Sequence, residues 1–360
     1  MQEKENSLDH KTIVISRTDS IGDVILTLPL CAWIKEKYPT SRIIFLGKKY
    51  TQPILKCFDA IDEIHFWDEI ESQPEQEIIS TFKSWNAAVF VHVFPNKRIA
   101  KLAKKAKIQV RIGTSHRAYH LLSCNVRPNF TRKKSDLHEA QLNFKLLQYY
   151  GIDQLPTLQA IRNWMSAFRP KQGLLSNQAA WIATDRKKVI LHPKSQGSAV
   201  EWPMEKYVAL AEKLVDRNYR VFFSGTEKEG QLFRNQLPHH PEIIDISGEL
   251  TLDEFITFID KTDALVACST GPLHIAAILG KKAVGLYTTI RPMHPGRWMP
   301  MGDHVHIITA KNPLPQPEEE IRSIDVDQVL GKVVGRLLGL NERILFKNYK
   351  SKYYLFFNIL

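Results

Sequence analysis

No run of apolar residues in this 360-residue chain approaches the length of about 20 that crosses a bilayer. The opening residues, MQEKENSLDHK, are polar where a signal peptide carries an apolar stretch. Together these absences point to a protein retained in the cytoplasm. The chain also has no GxGxxG, no GxxxxGK[ST] and no Gly-x-Ser-x-Gly, which disfavours a nicotinamide dehydrogenase, a P-loop NTPase and an α/β-hydrolase. Its four cysteines, Cys31, Cys57, Cys124 and Cys268, show no CxxC or Cys/His spacing, so reduced thiols are the simplest reading. No carboxylate cluster suggests a metal, and neither metal nor cofactor is expected. Acid is missing locally as well. Residues 83–135 contain no Asp or Glu but thirteen Lys and Arg, within a net formal charge of +11. A charge run is usually a solvated face, but one this one-sided points to an anionic partner, whether nucleic acid, anionic lipid or a phosphorylated substrate.

What is present is ordinary globular composition, 44% hydrophobic and 24% charged, and a length that suits two domains rather than one. Strand-like segments KTIVIS, RIIFLG, DEIHFW, AAVFVHVF and QVRIG alternate with helical patterns at 24–38 and 137–150. The period weakens through GIDQLPTLQAI and RPKQGLLSNQ, then restarts at KVILH, RVFFSG, EIIDIS, ALVACS and KAVGLY. Helices are expected between these at 204–217, 227–236, 251–261 and 272–279. The fold class is therefore α/β, with repeated βα units in parallel sheets. The expected division is a domain at 1–165, a linker at 166–185, a second domain at 186–340 and a basic, aromatic tail at 341–360. KNPLPQPEEE reads as a surface loop, and 326–338 as a late helix.

Ligands of open parallel sheets sit at the carboxyl ends of the strands. After the first strand comes RTDSIGD, where Gly22 permits close approach and Asp23 meets the start of a helix. Asp23 is read either as an N-cap or as a carboxylate that accepts a proton from an attacking hydroxyl. In the second half, HPKSQGSAVEWP places Lys194 and Ser195 where amides and a cation can meet a diphosphate, with Pro203 suited to a helix start. CSTGPLHIAA places Ser269, Thr270 and Gly271 at a helix N-terminus, a ready anion site, with His274 in the first turn. The basic stretch supplies Lys104, Lys105, Lys107 and Arg117. No nucleic-acid motif accompanies these charges, so nucleic acid is not expected as a partner.

In order and spacing, SRTDSIGDVILTLPL, HPKSQGSAVEWPMEKYVALAEKL, FFSGTEKE and STGPLHIAAILGKKAVGLY resemble the heptosyltransferases of glycosyltransferase family 9, from KTIVIS to about residue 310. The resemblance implies the GT-B fold, two Rossmann-like domains facing each other across a cleft. It implies transfer of a sugar from a nucleotide-diphosphate donor, typically ADP-heptose, to the lipopolysaccharide inner core. The donor would lie mainly in the C-terminal domain. The anionic glycolipid acceptor would lie against the N-terminal one, with a peripheral contact at the inner membrane. Carried over by position, Asp23 is the general base, Thr270, Gly271 and His274 face the diphosphate and sugar, with Ser269 also on the donor side, and Glu229 contacts the nucleoside. Lys194 and Ser195 complete the donor side; Gly22, Lys104, Lys105, Lys107 and Arg117 form the acceptor side. Two positions depart from the family pattern: Val200 replaces a Lys or Arg two residues before the Trp of WP, and Ser269 replaces an Asp. Lys194 or Arg291 is a candidate for the missing cation, and a nucleotide-sugar-binding protein without turnover is the alternative.

Overall fold

The structure is a computed structural model describing residues 7–132 and 135–335. Lys133, Lys134 and the expected tail at 341–360 lie outside the described residues, as does the end of the expected helix at 326–338.

Short runs of β-branched and aromatic residues form the strands. The first sheet holds β1 (Thr12–Ser16), β2 (Arg42–Gly47), β3 (Glu63–Phe66), β4 (Val89–His92) and β5 (Val110–Ile112) in the order β3-β2-β1-β4-β5. The second holds β6 (Lys187–His192), β7 (Tyr219–Phe223), β8 (Ile243–Asp245), β9 (Ala264–Cys268), β10 (Lys282–Tyr287) and β11 (Val305–Thr309) in the order β11-β10-β9-β6-β7-β8. Every pairing is parallel. Parallel strands covered by helices on both faces are apolar on both faces, which is why IIFLG and ALVAC carry no alternation. Strand order reverses between β1 and β4 and between β6 and β9, so the loops after these strands open the crevices where ligands bind.

Alternate strand residues enter different cores. Val14 and Phe90 pack under the helices Glu75–Ser84 and Lys97–Lys105. Ile13, Ile15 and Val91 join Ile190, Leu265 and Ala267 of the second sheet in one continuous apolar cluster. The two halves therefore share an interior and form the GT-B arrangement, two Rossmann-like units across a cleft.

Several segments differ from their expected form. The helix expected at 24–38 is two helices, Ile21–Ile25 and Leu28–Lys37, because Pro29 cannot donate a backbone bond and begins a new first turn. The segment 137–150 is likewise an α-helix, Glu139–Phe144, followed by a 3-10 stretch, Lys145–Tyr150. The aperiodic region contains a helix, Leu158–Met165, whose Thr157 hydroxyl accepts from Ala160 N and which buries Ile161 and Met165. KNPLPQPEEE is a loop only in its first part. Pro317 starts the helix Pro317–Ser323, whose buried Glu320 accepts from Thr288 Oγ1 and from Thr289 N at 2.8 Å. All four cysteines are buried and unpaired, as read.

Candidate active site

Two helix N-termini meet at the cleft. The turn after β1 runs through Arg17 to Ser20, the extended residue that caps Ile21–Ile25; Asp23 is the third residue of that helix and not its cap. Thr270 stands at the N-cap position of Gly271–Ile278 from the other sheet without a side-chain cap bond, and Pro272 lies in that helix's first turn. Glycine makes this apposition possible. A Cβ on Gly22 would stand 3.0 Å from His274 Cδ2, and one on Gly271 would stand 3.0 Å from Ile21 Cβ. A side chain at either position would press on the opposing helix end.

Around this junction lies a cavity of about 660 Å³, lined by Gly22, Asp23, Ser195, Glu229, Ser269, Thr270, Gly271 and His274 among others. Its volume suits a small-molecule ligand. Of the described residues lining it, none is Lys or Arg, and Val200 is part of the wall. Lys194 is not in the wall: it lies in an adjoining depression beside Lys228, its ammonium paired with Glu201 at 2.9 Å. Arg291 is paired with Asp136 of the N-terminal half. Neither conjectured cation reaches the cavity lining. Ser195 Oγ donates to Ala199 O at 2.8 Å and Ser195 N donates to Glu201 Oε1 at 2.8 Å, which fixes the loop before Trp202. Glu229 accepts from Thr226 N at 2.7 Å and Thr226 Oγ1 at 2.9 Å, and both bonds fall on Oε2.

Burial sets the state of the histidines here. It pushes the His274 imidazole down to about 3, with His138 adding to the effect, so the ring is neutral at physiological pH. His274 Nδ1 and Thr270 Oγ1 are buried without a partner among the described residues, and both residues line the cavity. Such orphaned polar atoms are costly unless a ligand or water satisfies them.

Arg17, which no sequence pattern singles out, holds Asp23 together with two other carboxylates. Its guanidinium is buried, donates to Asp19 Oδ1 at 2.7 Å, to Glu139 Oε1 at 3.2 Å and to Asp23 Oδ1; Asp23 Oδ2 accepts from Ser20 Oγ. Burial works against the Arg17 charge, but Asp23, Asp19 and Glu139 outweigh it and raise its pKa above the ordinary value. Burial pushes the Asp19 carboxyl up to about 6 despite Arg17. Glu139 was equally inconspicuous. A carboxylate at the head of the apolar pattern EAQLNFKLLQYY was the available signal, since a charge on the buried side of a helix must find a partner.

The basic stretch lies away from the cavity. Lys104 and Lys105 end the helix Lys97–Lys105, Lys107 follows it, and Arg117 caps Ala118–Ser123; none of the four lines the cavity. Its one-sidedness in sequence is partly offset in space. Glu75 pairs with Lys105 and lies 3.9 Å from Lys101, while Arg132 is drawn inward to Glu139 at 2.7 Å. Lys104 donates to Leu122 O at 2.7 Å, and the adjacent Leu121 and Leu122 are 58% and 77% exposed. Among the described residues no helix is long and apolar enough to cross a membrane, and no three His, Cys, Asp or Glu come together as a metal site.

Known proteins share the family and the fold. Residues 95–324 match the family described as glycosyltransferase family 9 (heptosyltransferase). The chain is 31% identical over 313 residues to a lipooligosaccharide heptosyltransferase 2 of Haemophilus influenzae, covering 82% of this chain and 88% of that protein. It is 22% identical over 331 residues to a putative glycosyltransferase of the same organism, covering 89% and 95%. Among solved structures, the Escherichia coli ADP-heptose lps heptosyltransferase II superposes with a TM-score of 0.71 at 20% identity, covering 90% of this chain and 98% of that one.

Proposed function

The chain belongs to glycosyltransferase family 9, the heptosyltransferases, and from that premise we propose that this glycosyltransferase moves heptose from ADP-heptose to the inner core of a lipopolysaccharide or related glycolipid, inverting the anomeric centre. The observation that carries the reading is the apposition of Asp23 and the Thr270–Gly271 helix terminus around one cavity. Asp23 accepts the proton of the acceptor hydroxyl as that oxygen bonds the anomeric carbon. The bond from that carbon to the diphosphate breaks, and ADP leaves with the electron pair. With no Lys or Arg among the described lining residues, the growing charge on ADP is met by the unpaired amides and dipole of Gly271–Ile278, the Thr270 hydroxyl and the neutral His274. Glu229 faces the nucleoside. This arrangement asks for no divalent ion, so the rate should survive treatment with a chelator.

The N-terminal domain at 1–165 takes the acceptor and the C-terminal domain at 186–340 the donor. The basic face of Lys104, Lys105, Lys107 and Arg117 holds the protein to the cytoplasmic face of the inner membrane, with no role in nucleic-acid binding. Val200 and Ser269, both in the cavity wall, favour one alternative, a sugar-nucleotide-binding protein without turnover. A single experiment separates the two. ADP release from ADP-heptose, with and without a lipopolysaccharide-core extract, should be acceptor-dependent and should fall about 10² to 10⁴-fold in Asp23→Asn. ADP affinity by calorimetry should hardly change, and Arg17 keeps Asp19 and Glu139 as partners in the variant. Undiminished turnover in Asp23→Asn would remove the residue from the chemistry. Donor binding without acceptor-dependent release in the wild type would establish the binder.

A further inference from the structure

Glu139 opens the helix Glu139–Phe144 with no exposed surface and touches three arginines. Its Oε1 accepts from Arg132 Nε at 2.7 Å and Arg17 Nη1 at 3.2 Å. Its Oε2 accepts from Arg297 Nη2 at 3.0 Å and Nε at 3.2 Å. Arg17 and Arg132 belong to the N-terminal half. Arg297 belongs to the short helix Pro295–Trp298 of the other half, between Met293 and Trp298 of the cavity wall. The preceding residue reinforces the junction: burial pushes His138 down to about 4, and its Nδ1 accepts from Ala140 N, so the proton on Nε2 donates to Met299 O at 2.8 Å. Asp19, Asp23 and Glu139 balance Arg17, Arg132 and Arg297. Burial raises the Glu139 pKa, but the three guanidinium groups outweigh it and hold the carboxyl below its usual range. A buried ion cluster is a weak way to stabilise a fold, since apolar packing does as well, so its place one contact from Asp23 asks for another explanation.

We propose that Glu139 is a positioning residue for glycosyl transfer: it divides its carboxylate between Arg17, which grips Asp23, and Arg297, which borders the donor wall, and so ties the setting of the base to docking of residues 293–299. The proposal rests on Asp23 being the base. With Arg297 seated, Glu139 is shared and Arg17 stays on Asp23 and Asp19. With Arg297 withdrawn, Glu139 draws Arg17 toward itself and loosens its grip on Asp23. A donor that packs against Met293 and Trp298 thereby completes the base it needs.

The test is the pH profile of turnover of ADP-heptose with core extract, in the full chain. Among the described residues, the charged or titratable groups around Asp23 are Arg17, Asp19 and Tyr50, with His274 across Gly22; those around Glu139 are its three arginines and His138. Glu139→Gln removes a negative charge and leaves the field of Arg17 uncompensated, which favours an ionised, weaker base. Its acidic limb should move down by about half a unit. Arg297→Gln removes a positive charge, so its limb should move up, while Arg297→Lys should restore the wild-type limb. Both Gln variants should lose about two- to thirtyfold in kcat while binding ADP within about twofold of wild type. If Glu139→Gln does not fold, the Arg297 pair still decides the matter. An unmoved limb in every folded variant, or a loss of kcat that only parallels a loss of thermal stability, overturns the proposal. Full turnover in Asp23→Asn instead overturns the base assignment, whatever the Glu139 variants do.

Discussion

Thr270 occupies a position where a side-chain hydroxyl ordinarily closes a helix N-terminus, yet its Oγ1 is buried and bonds nothing among the described residues. A cap residue that leaves its helix uncapped in a cavity wall is poised for an outside acceptor. Thr270→Val keeps the shape and removes only that hydroxyl. The free protein should melt at the same temperature or slightly higher, because an unsatisfied buried polar atom has gone. ADP affinity should fall about two- to tenfold, the worth of one hydrogen bond. Unchanged calorimetric affinity in the folded variant would take the diphosphate off this helix. Gly271 is a less selective probe of the same point, since a larger residue there would also press on Ile21 and disturb the junction of the two halves.

At the scale of elements, the helices Lys97–Lys105 and Ala118–Ser123 combine exposed Lys97, Arg98, Lys101 and Lys104 with the exposed pair Leu121 and Leu122. Basic residues beside projecting leucines suit an anionic bilayer, with about 1 kcal/mol expected per charge near the surface. Lys104→Glu, Lys105→Glu and Lys107→Glu together should abolish sedimentation with vesicles containing phosphatidylglycerol. Leu121→Asn with Leu122→Asn should weaken it at all salt concentrations, and ADP binding should be spared in both. Wild-type sedimentation in the charge-reversed protein would reduce the surface to a solvated face. These elements also show what a sequence displays. Strands such as RIIFLG and ALVAC were legible because a covered parallel sheet demands unbroken apolar runs, and the TGPLH and SIGD turns because glycine and proline punctuate strand-to-helix joints. β11 was missed because VHIIT is short and follows a polar turn, and Pro317–Ser323 because its prolines read as loop. The Arg17–Glu139–Arg297 cluster was out of reach: its bonds join residues 122 and 158 positions apart, and no local pattern encodes such a partner.

Across the whole molecule, five of the described histidines are buried, His120 beside His92 among them, and two of the five sit where the halves meet. His92 ends β4 and His192 ends β6, while His138 and His274 lie at the junction between the halves. Burial is the leading cause in every case, pushing His92 and His274 down to about 3 and His138 and His192 down to about 4. In the unfolded chain each imidazole returns to about 6.5. Between that value and about 4 the unfolded state therefore binds more protons than the folded one, so stability must fall as pH falls through this window. The slope approaches about 1.4 kcal/mol per pH unit for each histidine that stays neutral in the fold. Glu139, held below its usual range, adds a loss of the same sign at the acid end. Because one apolar cluster runs through both sheets, the loss should be felt by both halves at once. Calorimetry from pH 7 to pH 4.5 should show one transition whose midpoint drops steadily, and His92→Phe or His138→Gln should flatten that drop. A midpoint independent of pH across this range would mean that the imidazoles take up protons within the fold, and with that the neutral His274 assigned to the donor site would go.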